Sequence, residues 1–134
     1  MLDHTGVVVS NMNKSANWYQ EALKSIGYVK LMEFSKEITQ TAGVAGFGEA
    51  ATKKPDFWIV EATPEKPVNK PNIHVAFRAQ NRKQVDEFYN AAINSGGTDN
   101  GKPGLRPQYH ENYYGAFVFD PDGHNIEVVC HNPE

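Results

Sequence analysis

LDHTGVVVSNMNKSANWYQEALKSIG, residues 2–27, decides how the chain reads, because its pattern returns seventy residues later. Set against NIHVAFRAQNRKQVDEFYNAAINSGG (72–97), His4 falls on His74, Asn11 on Asn81, Trp18 on Phe88 and Tyr19 on Tyr89. Ala22 then falls on Ala92, Leu23 on Ile93, Gly27 on Gly97 and, further along, Phe47 on Phe117. A helical face and its terminating glycine that repeat in register mark an internal duplication.

Within the first copy, residues 2–9 are apolar and β-branched and read as a strand. Asn11 or Asn13 supplies a side-chain oxygen to cap the helix that follows. Trp18, Ala22, Leu23 and Ile26 recur at helical spacing, and Gly27 tolerates the left-handed conformation that ends a helix. Segments 28–35 and 38–48 read as two strands with a polar break near Ser35–Glu37, and DFWIVEA (56–62) as a fourth. TPEKPVNKP removes ladder donors at its prolines and reads as a connector.

The second copy repeats the plan. Residues 72–79 form a strand and 82–94 a helix with Val85, Phe88, Tyr89 and Ala92 inward. Residues 98–112 show no clear periodicity. YYGAFVFD is a strand, DPDG a tight turn, and HNIEVVC the closing strand. The expected fold is α+β: two βαβββ modules, 1–63 and 72–131, joined by a proline-rich connector (64–71) in one domain, 1–134. Each module buries its helix on one sheet face and curls the other toward its partner as a cup.

Strand alternation assigns residues to those faces. Ile126, Val128 and Cys130 share one side of the last strand, and Glu127 takes the other. Ile73, Val75 and Phe77 oppose His74 and Arg78, and Val7 and Val9 oppose His4. Two imidazoles and a carboxylate on the helix-free face are the donor set of an open divalent-metal site. A carboxylate pointing inward from an apolar strand costs several kcal/mol unless paired, and a metal removes that cost.

The other polar candidates cluster before the seventh strand. His110 is the expected general acid or base, since an imidazole titrates near neutrality. Tyr109, Tyr113 and Tyr114 are expected at the pocket mouth, and Arg78 and Arg106 as bidentate partners for a carboxylate or phosphonate. Trp58 reads as core, Cys130 as a small buried hydrophobe, and Asp122 and His124 as exposed turn residues.

With 134 residues, 40% of them hydrophobic, and a net charge of −3, the chain suits one domain with a sizeable core and no phosphate-tracking surface. No apolar run is long enough to span a membrane, and the N-terminal residues lack a signal peptide's basic region. The lone Cys130 rules out an internal disulfide and favours a reducing compartment. The expectation is a soluble cytoplasmic protein that binds neither nucleic acid nor membrane.

LDHTGVVVSNMNKSANWYQEAL, NIHVAF and above all YYGAFVFDPDGHNIEVV resemble the vicinal oxygen chelate superfamily: glyoxalase I, fosfomycin-resistance proteins, extradiol dioxygenases and bleomycin-resistance proteins. The resemblance spans the whole chain. It implies a divalent metal (Zn, Ni, Mn or Fe) on His4, His74 and Glu127, with a homodimer, since many relatives pair modules between chains. Glyoxalase I adds a carboxylate ligand on its fourth strand. Allowing for the loop GEAATKKP, the matching residue is Glu61, a fourth ligand or proton acceptor. The resemblance further implies glyoxalase-like isomerase or lyase chemistry on a small molecule with vicinal oxygens. Its alternatives are extradiol dioxygenation, fosfomycin-type thiol transfer, and metal-free drug or metabolite binding.

Overall fold

A computed structural model describes all 134 residues. The first half runs through Thr5–Val9 (β1), Met12–Leu23 (α1), a 3-10 turn at Lys24–Ile26 and Tyr28–Phe34 (β2). It continues with the single turn Lys36–Thr39 (α2), Val44–Glu49 (β3) and Phe57–Glu61 (β4). The second half comprises His74–Arg78 (β5), Arg82–Asn94 (α3), Thr98–Leu105 (β6), Tyr114–Phe119 (β7) and Asn125–Cys130 (β8). Two open four-stranded mixed sheets result, ordered β1-β4-β3-β2 and β5-β8-β7-β6. In each, the first and last strands of the half pair in parallel and the others antiparallel. The fold is α+β with two similar βαβββ halves.

Local chemistry sets the helix limits. The Asn11 side chain accepts from the Lys14 amide, and Asn81 does the same for Gln84. Gly27 (φ 83°) closes the first helical segment, a conformation that a Cβ would disfavour. Gly97 is needed for another reason: a Cβ there would stand 2.6 Å from Val118 Cγ1 and 2.9 Å from Trp18 Nε1.

The two halves meet through their helix-bearing faces. Buried Trp18 donates from Nε1 to the Ala92 carbonyl across the two helices (3.0 Å), and Tyr19 donates to Asp120 (2.5 Å). Beside the helices, Phe57 of one sheet meets Phe77 of the other edge-on at 5.2 Å. This arrangement consumes the inner faces within one chain. The outer faces of the two sheets therefore point away from each other.

Three elements differ from the sequence reading. Residues 38–48 are not one strand. α2 ends at Gln40 in the left-handed region, and Thr39 Oγ1 bonds to Ala42 O, so pairing begins only at Val44. Residues 98–105, which lack periodicity, form the edge strand β6, whose ladder to β7 is interrupted on either side of Gly101. An edge position accommodates Pro103 without losing a buried donor. His124 is fully buried rather than exposed. Its Nδ1 accepts from the Ile73 amide (3.0 Å) and its Nε2 donates to the Val8 carbonyl (2.9 Å). Asp122 accepts from the Ser10 amide (2.9 Å), so the turn before β8 holds the end of β1.

Candidate functional site

On the outer face of the second sheet, His74 of β5 and Glu127 of β8 come together, with Nε2 and Oε2 3.2 Å apart. The ladder makes this possible: Ala76 pairs with Glu127 in register, and Phe117 of β7 pairs with it from the other side. Glu127 is only 2% exposed. Its Oε1 accepts from the Tyr113 hydroxyl. His74 Nδ1 lies 2.9 Å from the Asn125 carbonyl, which can only accept, so Nδ1 carries the proton.

That tautomer decides what the pair can do. A neutral His74 directs an Nε2 lone pair at a carboxylate oxygen, an arrangement relieved by a proton on Nε2 or by a cation between them. An imidazole anchored through its other nitrogen to a backbone carbonyl, beside a carboxylate, has the form of a metal-binding histidine. The donor chemistry is thus compatible with a divalent metal, which His74 Nε2 and Glu127 Oε2 could hold from this half.

His4 is not brought to them. It precedes β1 on the other sheet, its side chain is 62% exposed, and Nδ1 pairs with Asp3 at 2.7 Å. No three His, Cys, Asp or Glu side chains converge within the chain. The outer face beside His4 instead carries a pocket of about 750 Å³ lined by Val8, Phe34, Val44, Trp58 and Val60.

The ladders also correct two readings. Gly6 pairs with Trp58 as Ala76 pairs with Glu127, and each stands two residues beyond its half's histidine. Trp58 thus holds in the first half the place that Glu127 holds in the second. It is half-buried on the outer face, its ring lying over Gly46, rather than in the core. Glu61, three residues on, falls on the opposite side of β4 with Phe57 and Ile59. It lines a separate groove with Asn11, Glu33 and Lys36, and strand alternation keeps it away from the face of His4.

Around Glu127 the second half assembles a ring cluster. Tyr113 packs edge-on against Tyr109 (4.9 Å), His110 (5.2 Å) and His131 (5.3 Å). His110 Nε2 and His131 Nδ1 are 2.7 Å apart. The Asn112 amide donates to His110 Nδ1 at 3.3 Å, so His110 donates from Nε2 to His131. Sequence reasoning missed His131, although it continues the parity of Glu127 and Val129. Burial, and then the bond to Glu127, hold the Tyr113 phenol well above its usual range, so it remains a donor.

Arg106 lies over the Phe117 ring at 5.6 Å and donates to the Lys102 carbonyl, while His74 stacks on the same ring at 6.3 Å. Arg78 is exposed on the outer face of β5. Tyr114 departs from expectation. It turns inward, donates to Asp86 at 2.7 Å beneath the Arg82 guanidinium, and its phenol is pushed up to about 12 by burial and that bond. It braces α3 rather than lining a pocket mouth.

A family model described as the Glyoxalase/Bleomycin resistance protein/Dioxygenase superfamily matches residues 1–128, and the chain belongs to that family. Among solved structures, it is similar to a glyoxalase/bleomycin resistance protein from Albidiferax ferrireducens T118 (25% identity, 98% of each chain, TM-score 0.77). It also shares its fold with a glyoxalase I variant from Zea mays (21% identity, 96% of this chain and 46% of that one, TM-score 0.74). A third is the fosfomycin resistance protein FosX from Listeria monocytogenes, complexed with Mn(II) and sulfate (16% identity, 98% and 93% coverage, TM-score 0.65). None of the curated proteins matches the sequence. No helix is long and apolar enough to cross a membrane.

Proposed function

We propose that the chain is a divalent-metal enzyme acting on a small molecule with two adjacent oxygens, and that two copies build each site. The carrying observation is the His74–Glu127 pair, with His74 Nδ1 committed to the Asn125 carbonyl and Nε2 directed at Oε2. His74 and Glu127 of one copy would hold the metal together with His4 of a second. Because the inner faces are used up within the chain, an outer face meets its complement only in a homodimer, with residues 1–63 and 72–131 contributing opposite walls. Exposed Met32 and Phe34 lie on the strand edging the first half's outer pocket, in keeping with such a partner. The lone Cys130 is in keeping with a reducing, cytoplasmic setting.

Such a metal (Zn, Ni, Mn or Fe) would supply Lewis-acid activation of the chelated oxygens. The chain's own groups do the rest. Tyr113 orients Glu127, His110 and His131 offer a proton-transfer pair, and Arg106 and Arg78 provide positive charge for an anionic substituent. Trp58, standing where a fourth carboxylate would be, gives an apolar wall and leaves a set of two histidines and one carboxylate. Glyoxalase-like isomerase or lyase chemistry is the leading reaction. The three-ligand set also suits extradiol ring cleavage and thiol addition to an epoxide. Turnover of a hemithioacetal, oxygen uptake with Fe(II) and a catechol, and thiol–epoxide adduct formation separate the three.

The metal reading is tested by metal content in protein purified without chelator and by Mn(II) titration. His74→Ala and Glu127→Ala are expected to weaken binding by more than about 100-fold, beyond the effect of a supporting residue. Absence of metal in the wild type, with no Mn(II) binding that either change abolishes, overturns the reading. Ligand binding that persists without metal would instead indicate a sequestering protein.

A further inference from the structure

The two oxygens of Glu127 are not equivalent. Oε2 faces His74 Nε2, while Oε1 is taken by the Tyr113 hydroxyl. Three features hold Tyr113 there. The edges of Tyr109, His110 and His131 surround its ring. Its backbone is tied on both sides: the Arg106 amide donates to its carbonyl and its own amide to that of His110. Finally, the strand that continues from it, β7, carries no side chain at Gly115, two residues on. A Cβ at that position would stand 3.2 Å from Tyr113 Cε1 and 3.3 Å from Glu127 Oε1, tight against both partners at once.

We propose that Tyr113 is a positioning residue that reserves Oε1 of Glu127, so the carboxylate offers a divalent metal one oxygen, Oε2, and leaves more coordination positions to substrate. Gly115 is the cradle that permits it. The inference rests on the metal reading above, and it makes a separate claim about denticity. A carboxylate free to rotate can chelate through both oxygens, occupying a position that a substrate oxygen would otherwise take. A hydroxyl donor held on one oxygen prevents this. The arrangement is thus a device for keeping the metal open, built from a tyrosine fourteen positions before its carboxylate and a glycine between them.

Tyr113→Phe keeps the ring and removes the hydroxyl. Mn(II) affinity by calorimetric titration is expected to fall 10- to 100-fold, roughly the range for loss of a group that orients a ligand. The visible spectrum of the Co(II)-loaded variant is expected to weaken, as higher-coordinate Co(II) absorbs less, while the thermal midpoint stays close to wild type. Gly115→Ala, which presses a methyl group against both partners, is expected to shift affinity and spectrum in the same direction. If wild type binds neither Mn(II) nor Co(II), the metal reading itself fails. If wild type binds both ions and Tyr113→Phe matches it in affinity and spectrum, the metal reading stands and the role of Tyr113 is overturned. Should Tyr113→Phe fold poorly, Gly115→Ala decides by the same two readouts.

Discussion

Asp120 is nearly buried and accepts three hydrogen bonds, from the Tyr19 hydroxyl (2.5 Å) and from the Asp122 and His124 amides (2.9 and 2.8 Å). Burial outweighs these bonds and raises its carboxyl above the usual range. The sign follows from linkage. The folded state binds this proton more tightly than the unfolded chain, so Asp120 adds stability as pH falls from neutral through its folded pKa toward the ordinary carboxylate value. Asn mimics the protonated acid and keeps an oxygen for the two amides. Asp120→Asn is therefore expected to lose that part of the pH dependence, read as the change in urea midpoint between pH 7 and pH 5. An unchanged pH dependence would show that Asp120 titrates alike in both states.

The same turn acts at the scale of elements. The segment between β7 and β8 reaches across to the other half through His124, whose imidazole joins the Ile73 amide to the Val8 carbonyl. Asn69 completes the clamp by accepting from the Val8 amide at 2.8 Å. His124→Leu keeps the volume but leaves two interior backbone groups without partners. It is expected to lower unfolding free energy by about 2–6 kcal/mol, from two unmade hydrogen bonds of ~1–3 kcal/mol each. Denaturant unfolding followed by tryptophan fluorescence measures this. A loss below about 0.5 kcal/mol would mean that the turn does not bear on the joint between halves. The sequence shows DPDG as a turn, and nothing local reveals that its next residue is interior. The burial of His124 depends on β1, more than a hundred residues away.

At the scale of the whole molecule, the halves bury their helix-bearing faces against each other and leave the other face of each sheet outward. The proposed sites between two copies predict a complementation result. On that proposal, a His4→Ala chain and a Glu127→Ala chain would each lack one ligand in every site of their own homodimers. In their heterodimer, one site carries both defects and the other none. Random reassortment of equal amounts is thus expected to restore about a quarter of wild-type metal capacity, half of the dimers regaining one of two sites. Metal analysis of the separated and mixed proteins checks it. No recovery on mixing, with reassortment shown by differently tagged chains, would exclude shared sites.

Much was legible from residues alone. The duplication, both helices, and the face parity of His74, Glu127 and Cys130 follow from periods of 3.6 and 2, which any local element must obey; an asparagine cap was legible for the first helix, and the matching cap at Asn81 appears in the structure. β6 was hidden because an edge strand broken around Gly101 carries no apolar alternation. Thr39 and Gln40 hid the late start of β3, since side-chain and left-handed turn chemistry outweighed a β-rich composition there. That Trp58, rather than Glu61, holds in the first half the place of Glu127 required the β1–β4 register, because a loop of unequal length between the halves shifts any count along the chain. Likewise His131 joins His110, and Tyr113 reaches Glu127, only once the strands lie side by side. Local sequence thus determined most of the elements, the faces of the residues around His74 and Glu127, and the family. Tertiary structure decided which residues meet, because pairing across a sheet depends on register and on what the opposing layer covers, and neither is a property of a short segment.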